Sequence, residues 1–428
     1  MTERPNVVLI MMDDMGYGDL SCTGSSLIRT PNMDAIAAGG MTFTDAYAGA
    51  PTCTPSRAAL MTGRYAQRVG LPRVIFPDDA EGLPDSEVTV AEVLRDAGYR
   101  CAVYGKWHLG AKPDHHPMRH GFDEFIGLPY SNDMDPVYLM EGTERVDGEL
   151  DQSLVTRRYT DEAMAFIEEH REEPFFVYLP HTMPHIPLHV EEEFRGTSAA
   201  GTYGDVIECI DHHVGRLTAH LDRLGLTDDT LVIITSDNGP WFEGSAGGFR
   251  GRKIQTWEGG IRVPFLARWP SRIAPGTRCA EPISFLDLLP TLAGVAGAPA
   301  PDDRPLDGID IGALFDGGPA PEREALYFFS HWSLNAVRSG RFKLHVARHP
   351  ERDRRELPQL FDLVADPGES YDLGSLHPDE VQRLLGLARA FTDEIEAQRP
   401  EAQRRAGTDL LKEASRTDLV TDRTFQKG

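Results

Sequence analysis

An apolar run at residues 7–12 opens the chain almost at once and stops on two adjacent acids, Asp13-Asp14. A short, uninterrupted apolar run reads as a strand buried on both faces, the kind found inside parallel sheets. Two neighbouring carboxylates at the end of such a strand repel each other and call for a cation or protonation. The pattern recurs along the chain. Residues 101–104 lead into Gly105-Lys106-Trp107-His108, and residues 175–179 into His181 and then Pro184-His185. Residues 231–235 lead into Ser236-Asp237-Asn238-Gly239, and a fifth run lies at 263–267. Helix-like stretches at 160–170 and 206–224 fall between them. Strands alternating with helices predict an α/β domain with a large, mostly parallel sheet. Ligands bind such open sheets at the carboxyl ends of the strands, so these polar groups should gather on one edge. Singly, each has a plainer explanation, since Asp237-Asn238-Gly239 is good turn chemistry by itself. Four coincidences together favour a site.

Asp13, Asp14, Asp237 and Asn238 are hard oxygen donors, which suit Ca²⁺ or, less well, Mg²⁺, and not zinc. His181 and His185 are spaced like a helical zinc pair, but Pro184 and Pro187 forbid a regular helix there. A loop is expected instead, with one histidine facing the site and the other structural. His115-His116 and His212-His213 read as surface or packing residues.

Composition narrows the field. The 428 residues carry a formal charge of −24, which argues against nucleic acid or an anionic membrane as partner. An anionic substrate would need a local cationic pocket or a metal. No apolar run approaches the roughly 20 residues of a membrane span. The first run is too short for a secretory leader, so a cytoplasmic chain is expected. Five scattered cysteines without a C-x-x-C argue against a disulfide framework or a structural zinc site. No phosphate-cradling glycine loop, H-E-x-x-H or G-x-S-x-G is present.

The texture changes near residue 318. The Gly/Pro-rich segment 315–321 reads as a linker. Beyond it, residues 325–329, 336–338, 343–346 and 359–362 read as short strands. Val381, Leu384, Ala388, Phe391 and Ile395 then mark one face of a helix beginning near Pro378. Two units are expected: a catalytic domain over 1–318 and a smaller antiparallel sheet with a packed helix over 319–428. The last twenty or so residues are polar and read as an arm.

Residues 51–63 hold the chain's most specific feature, which includes Cys53-Thr54-Pro55-Ser56-Arg57. Ser56 or Thr54 can cap a helix through residues 58–62, leaving Cys53 just before its N-terminus. A lone cysteine there is ordinarily a packed small residue. A thiolate phosphatase fits poorly, because its signature puts more residues between Cys and Arg than the three that separate Cys53 from Arg57. The motif resembles C-x-P-S-R of the type I sulfatases, in which the cysteine becomes Cα-formylglycine. The resemblance, of an arylsulfatase A-like kind, extends through Asp13-Asp14, Gly16-Tyr17-Gly18-Asp19, Thr30-Pro31-Asn32 and Gly105-Lys106-Trp107-His108-Leu109-Gly110. It continues in Pro184-His185, Ser236-Asp237-Asn238-Gly239, Lys253 and Trp257-Glu258-Gly259-Gly260-Ile261-Arg262-Val263-Pro264. Gln359-Leu360-Phe361-Asp362-Leu363 and Asp366-Pro367-Gly368-Glu369 resemble the family's C-terminal part. The fold implied is the alkaline-phosphatase-like one: a large mixed sheet sandwiched by helices, plus a small four-stranded sheet.

The resemblance also implies a chemistry. Hydrated formylglycine at position 53 attacks sulfur, and its second hydroxyl later expels sulfate. Asp13, Asp14, Asp237, Asn238 and residue 53 hold a divalent cation, expected to be Ca²⁺. Arg57 orients the diol, while Lys106 and His108 contact diol and sulfate, with His108 as proton acceptor. His185 and Lys253 bind the bridging oxygen, and Asp237 serves as a base on the attacking hydroxyl. Alone, Lys106 or Lys253 would read as a surface lysine, Arg57 as a helix-surface arginine and His108 as a packing histidine. Maturation requires a formylglycine-generating enzyme or a radical maturase. The substrate is expected to be a small sulfate ester, on a sugar or an aryl group. Residues 128–136, 241–250 and His345 are placed near the pocket mouth, and Arg252 departs from the family by standing where glycine is usual. The rival functions are a formylglycine phosphonate or phosphate ester hydrolase, and a metal-containing binding protein with an unmodified Cys53. A two-metal phosphatase ranks low, because this edge supplies too few His and Asp ligands. Oligomeric state is open.

Overall fold

The computed structural model of the protein describes residues 4–347 and 357–399; the expected polar arm lies outside them. At its centre the Asn6–Met12 strand runs parallel between Phe175–Pro180 and Thr230–Ser236, and every one of its residues is buried. Arg100–Tyr104 lies parallel on the far side of Phe175–Pro180, and Glu124–Gly127 follows it. The antiparallel strand Phe265–Arg268 sits beside Thr230–Ser236, where the sequence placed a strand at 263–267, and makes the sheet mixed. Short strands at both margins complete ten.

The two faces of the central strand separate as a period of two requires. Val7, Leu9 and Met11 share a core with Ala58, Leu60 and Met61 of the Cys53–Thr62 helix and with Leu288–Ala296. Val8, Ile10 and Met12 share the other with the Val155–Glu169 and Gly201–Leu224 helices. The expected helices at 160–170 and 206–224 are therefore present, each starting five residues earlier than the apolar pattern alone marks.

Register does the functional work. Met11 stands opposite both Pro180 and Thr235, and Met12 opposite Ser236. The strands end level, so the residues that follow emerge together. Their amides tie them there: Asp237 N donates to Met12 O (3.0 Å), His181 N to Met11 O (2.8 Å) and Lys106 N to Pro180 O (2.8 Å).

The C-terminal unit is a four-stranded antiparallel sheet in chain order, Leu326–Ser330, Ser333–Ser339, Phe342–His345 and Gln359–Asp362. The Pro378–Gln398 helix buries Val381, Leu384, Ala388 and Ile395 against it. Phe391, the fifth residue of the expected face, stacks on Tyr327 with ring centroids 3.9 Å apart. The same core takes in Ala59, Tyr65 and Leu286 from the large sheet's helices and loops. The expected linker is not free at its start: Phe315 belongs to the Gly312–Asp316 turn and is buried in the first core. Its Gly/Pro neighbours mark a turn, and composition alone does not tell a turn from a tether. Among the described residues no helix is long and apolar enough to cross a membrane.

Candidate active site

Cys53 is the first residue of the Cys53–Thr62 helix, with Thr52 as its N-cap. This corrects the expectation that Thr54 or Ser56 caps a helix beginning later. Those hydroxyls are engaged elsewhere: Thr54 Oγ1 donates to His108 O (3.0 Å), and Ser56 Oγ donates to Asp237 O. The C-T-P-S-R segment is thus wholly helical and buried, and its polar side chains bind the two neighbouring loops to it.

Asp13 and Asp237 face the helix. Asp13 Oδ1 accepts from Cys53 Sγ (3.4 Å), and Asp13 Oδ2 accepts from Lys106 Nζ (2.5 Å). Arg57 Nε and Nη2 donate to Asp237 Oδ2 at 3.1 and 2.8 Å, and Nη1 donates to Lys106 O at 2.7 Å. Asp14 has a left-handed backbone, φ 66°, which turns its carboxylate toward Lys253 Nζ (2.7 Å) and Asn238 Nδ2 (2.8 Å). His185 Nε2 lies 3.6 Å from Asp14 Oδ2. One donor atom each from Asp13, Asp14, Cys53 and Asp237 falls within 4.8 Å of all the others; the same holds for Asp13, Cys53 and His185.

Three carboxylates meet three cations, Lys106, Arg57 and Lys253, so the protein itself offsets the repulsion that the sequence assigned to a bound cation. Burial alone would raise the Asp13 carboxyl, but Lys106, His185 and Arg57 hold it down to about 2. Burial and the Asp13 charge push Asp237 upward. Burial, then Asp13 and Asp237, push the Cys53 thiol well above its usual range, so a cysteine here is a thiol and not a thiolate nucleophile. Burial, Lys106 and Arg57 keep His108 well below the usual histidine range and neutral. Its Nε2 donates to Ile75 O (3.1 Å), which leaves Nδ1 a bare acceptor, buried with no hydrogen-bond partner.

A divalent cation passes a test that does not depend on charge balance. Asn238 Oδ1 is buried and accepts no hydrogen bond, an unusual condition for a buried amide oxygen. With Asp13, Asp14 and Asp237 it makes an oxygen-rich set suited to a hard cation. Sulfur at position 53 is the misfit, and an oxygen-bearing side chain there would remove it.

Neighbours the sequence did not single out support this arrangement. Ser131 Oγ contacts Lys106 Nζ (3.1 Å), and Asn132 Oδ1 contacts His185 Nδ1 (3.1 Å). Both lie in the 128–136 segment expected at the pocket mouth, and only that family likeness could have flagged them. Arg252 Nη1 donates to Trp241 O (2.8 Å) and Gly244 O (2.7 Å), clamping the turn beyond Asn238. His345 lies in a buried cluster under the Lys253 loop.

His181 is buried with neither ring nitrogen hydrogen-bonded, and burial pushes it down to about 3. His116 packs edge-on to Phe125, and His212 against Phe194. A second cluster, Glu191, Cys209 and His213, is held together by its own contacts and by flanking arginines: Cys209 Sγ donates to Glu191 Oε1 (3.5 Å), and Arg157 pairs with Glu191 Oε2. Arg216 donates to His213 Nδ1 (3.1 Å), so Nε2 carries the hydrogen given to Glu191 Oε1 (2.6 Å).

The sulfatase family model matches residues 5–298, and the model of the N-sulphoglucosamine sulphohydrolase C-terminal region matches residues 247–385. Human arylsulfatase A is 40% identical, covering 91% of this chain and 88% of its own length. Mouse N-acetylgalactosamine-6-sulfatase is 37% identical over 92% of this chain and 86% of its own. Among solved structures, Ps i-CgsB has a TM-score of 0.84 at 30% identity, covering 91% of this chain and 93% of that one; it is also known in complex with a neocarrahexaose. The phosphonate monoester hydrolase of Agrobacterium radiobacter shares the fold, with a TM-score of 0.66 at 22% identity over 93% of this chain and 96% of that one.

Proposed function

The chain belongs to the sulfatase family of sulfuric ester hydrolases, and we propose that it cleaves a carbohydrate sulfate through formylglycine at position 53 and a bound Ca²⁺. The observation that carries this reading is the buried meeting of Cys53 with Asp13, Asp14 and Asp237, ringed by Lys106, Arg57 and Lys253. Burial beside Asp13 and Asp237 keeps the thiol protonated, so ester cleavage calls for conversion of residue 53. Hydrated formylglycine with its cation supplies an oxygen nucleophile, a second hydroxyl for release of sulfate and Lewis acidity toward the sulfuryl oxygens.

The chain's own residues then have distinct tasks. Arg57, fixed on Asp237 and Lys106 O, orients the side chain of residue 53. Lys106 and Lys253 bring positive charge to the sulfuryl oxygens, so an acidic protein presents an anion site. His108 takes up a proton at Nδ1, the nitrogen left open by its bond to Ile75. His185 Nδ1 faces two acceptors, Asn132 Oδ1 and Ile186 O, and so carries hydrogen; Nε2, beside Asp14, donates to the departing alcohol only when the ring holds a hydrogen on both nitrogens. Maturation by a formylglycine-generating enzyme or radical maturase is part of the proposal. So is a cytoplasmic place of action, which suits five cysteines that all stand free.

Mass spectrometry of the peptide spanning residues 51–64, from protein made in its own host, tests the nucleophile. Conversion lowers its mass by about 18 Da. Converted protein is then assayed on sugar and aryl sulfates, with Ca²⁺ and after chelation. The expected result is Ca²⁺-dependent release of sulfate. A converted, Ca²⁺-loaded protein that cleaves a phosphonate or phosphate ester but no sulfate ester overturns the reading. A peptide with free thiol throughout leaves a binding role.

A further inference from the structure

Lys253 reaches Asp14 from an irregular loop, and the loop's backbone is strained. Ile254 has φ 71°, a left-handed value that β-branched residues rarely adopt. Such strain persists only where the surroundings over-determine it. On one side Ile254 N donates to Pro51 O (2.8 Å), and Lys253 N to Pro240 O (2.9 Å). Below, the loop presses on the Glu258–Ile261 turn. A Cβ on Gly260 would come within 2.0 Å of Gln255 O and 2.3 Å of Arg252 O, so only glycine permits the contact.

The C-terminal sheet grips that turn and both flanks of the loop. Lys343 Nζ, fully buried, donates to Thr256 O (2.8 Å) and to Glu258 Oε1 (2.8 Å), and lies 3.0 Å from Glu369 Oε1. Glu369 Oε2 accepts from Glu258 N (2.7 Å), and Oε1 pairs with His345 Nε2 (2.7 Å). His345 stacks on Trp257 with ring centroids 3.8 Å apart. On the other flank the Arg250 guanidinium lies 3.8 Å from the Trp257 ring centroid, and its Nη1 donates to Glu369 O (3.1 Å). Glu369 is itself left-handed, φ 52°. The family model of the C-terminal region reaches back to residue 247 and so takes in the Lys253 loop.

We propose that Lys343, His345 and Glu369 are positioning residues for Lys253, and that the C-terminal sheet is thereby a working part of the active site. Lys343 and Glu369 fix the turn beneath the loop, and His345 fixes Trp257 at its end. The role assigned to Lys253 rests on the sulfatase reading above; the mechanical coupling does not.

The test removes the buried charges as a pair, in Lys343→Met/Glu369→Gln, with His345→Phe as a milder variant that keeps the ring stack. Hydrogen exchange is followed on unconverted protein, and sulfate ester kinetics on converted protein with intact Lys253 and with Lys253→Ala. Faster exchange at the Lys253 and Ile254 amides is expected, with the central strands unchanged. Against intact Lys253, kcat/KM should fall on the order of tenfold to a hundredfold. Against Lys253→Ala the same substitutions should cost less than about twofold, because residues acting through Lys253 have nothing left to position. Unchanged exchange at residues 250–258 overturns the proposal, as does an equal kinetic loss in both backgrounds. If wild type cleaves no sulfate ester, the functional reading fails while the exchange result still decides the coupling. If the paired variant does not fold, His345→Phe is judged by the same two criteria.

Discussion

Cys53 shows most plainly how surroundings decide chemistry at the scale of one residue. Two carboxylates and full burial keep its thiol protonated, while a helix start and two lysines provide for an anion beside it. Cys53→Ala should therefore lower sulfate ester hydrolysis by at least about a thousandfold. Its unfolding free energy should change by only on the order of 1 kcal/mol, since one buried sulfur is lost and no charge is left unpaired. Assay and urea unfolding of the same preparation check both; a variant that keeps a tenth of wild-type activity would remove residue 53 from the chemistry. Asp14 and His108 share an unusual backbone, φ 66° and 59°. Left-handed non-glycine residues cost energy and cluster where side-chain aim matters. That Asp13, Asp14, Lys106, His108 and Asp237 gather at one edge was legible from their place after apolar runs, and that Lys253 joins them only from motif likeness. Their pairings were not, because a carboxylate's partner comes from a strand or loop distant in the chain.

The Cys53–Thr62 helix is the clearest case at the scale of elements. Thr54 and Ser56 look like caps, but tertiary partners claim their hydroxyls, and the helix starts at Cys53 instead. The Glu258–Ile261 turn carries a testable electrostatic consequence. Burial raises the Glu258 carboxyl, but Lys343, Arg262 and Arg338 outweigh it and hold the group at about 2, below its ordinary 4.5. A depressed carboxyl contributes stability above its unfolded pKa and loses it as pH falls toward the folded one. Wild type should therefore exceed Glu258→Gln in stability above pH 4.5 by on the order of 3 kcal/mol, and the gap should close as pH falls toward 2. Urea unfolding of both proteins at several pH values reads this directly. A gap that stays constant over that window would mean that Glu258 acts by shape and not by charge.

At the scale of the molecule, the two sheets share a core and should not melt separately. Leu384 on the C-terminal helix belongs to the cluster that holds Ala59 and Tyr65 beside the catalytic helix. Leu384→Ala is expected to cost about 2–5 kcal/mol. Tryptophan fluorescence and far-UV circular dichroism should still report one coincident transition. Two separated transitions would show that the boundary proposed at 318 is a thermodynamic one. The residues determined a great deal unaided. Apolar runs set the strands, period-two burial set their two faces, and polar groups after each run set the edge where chemistry gathers. Even the small sheet and its helix followed from pattern, because local spacing carries secondary structure. Only the tertiary structure decided which charges pair, that Phe315 is core and not tether, and that Lys343 and Glu369 lie beneath the Lys253 loop. Those facts depend on strand register and on contacts between residues far apart in the chain, and neither leaves a local trace in the order of side chains.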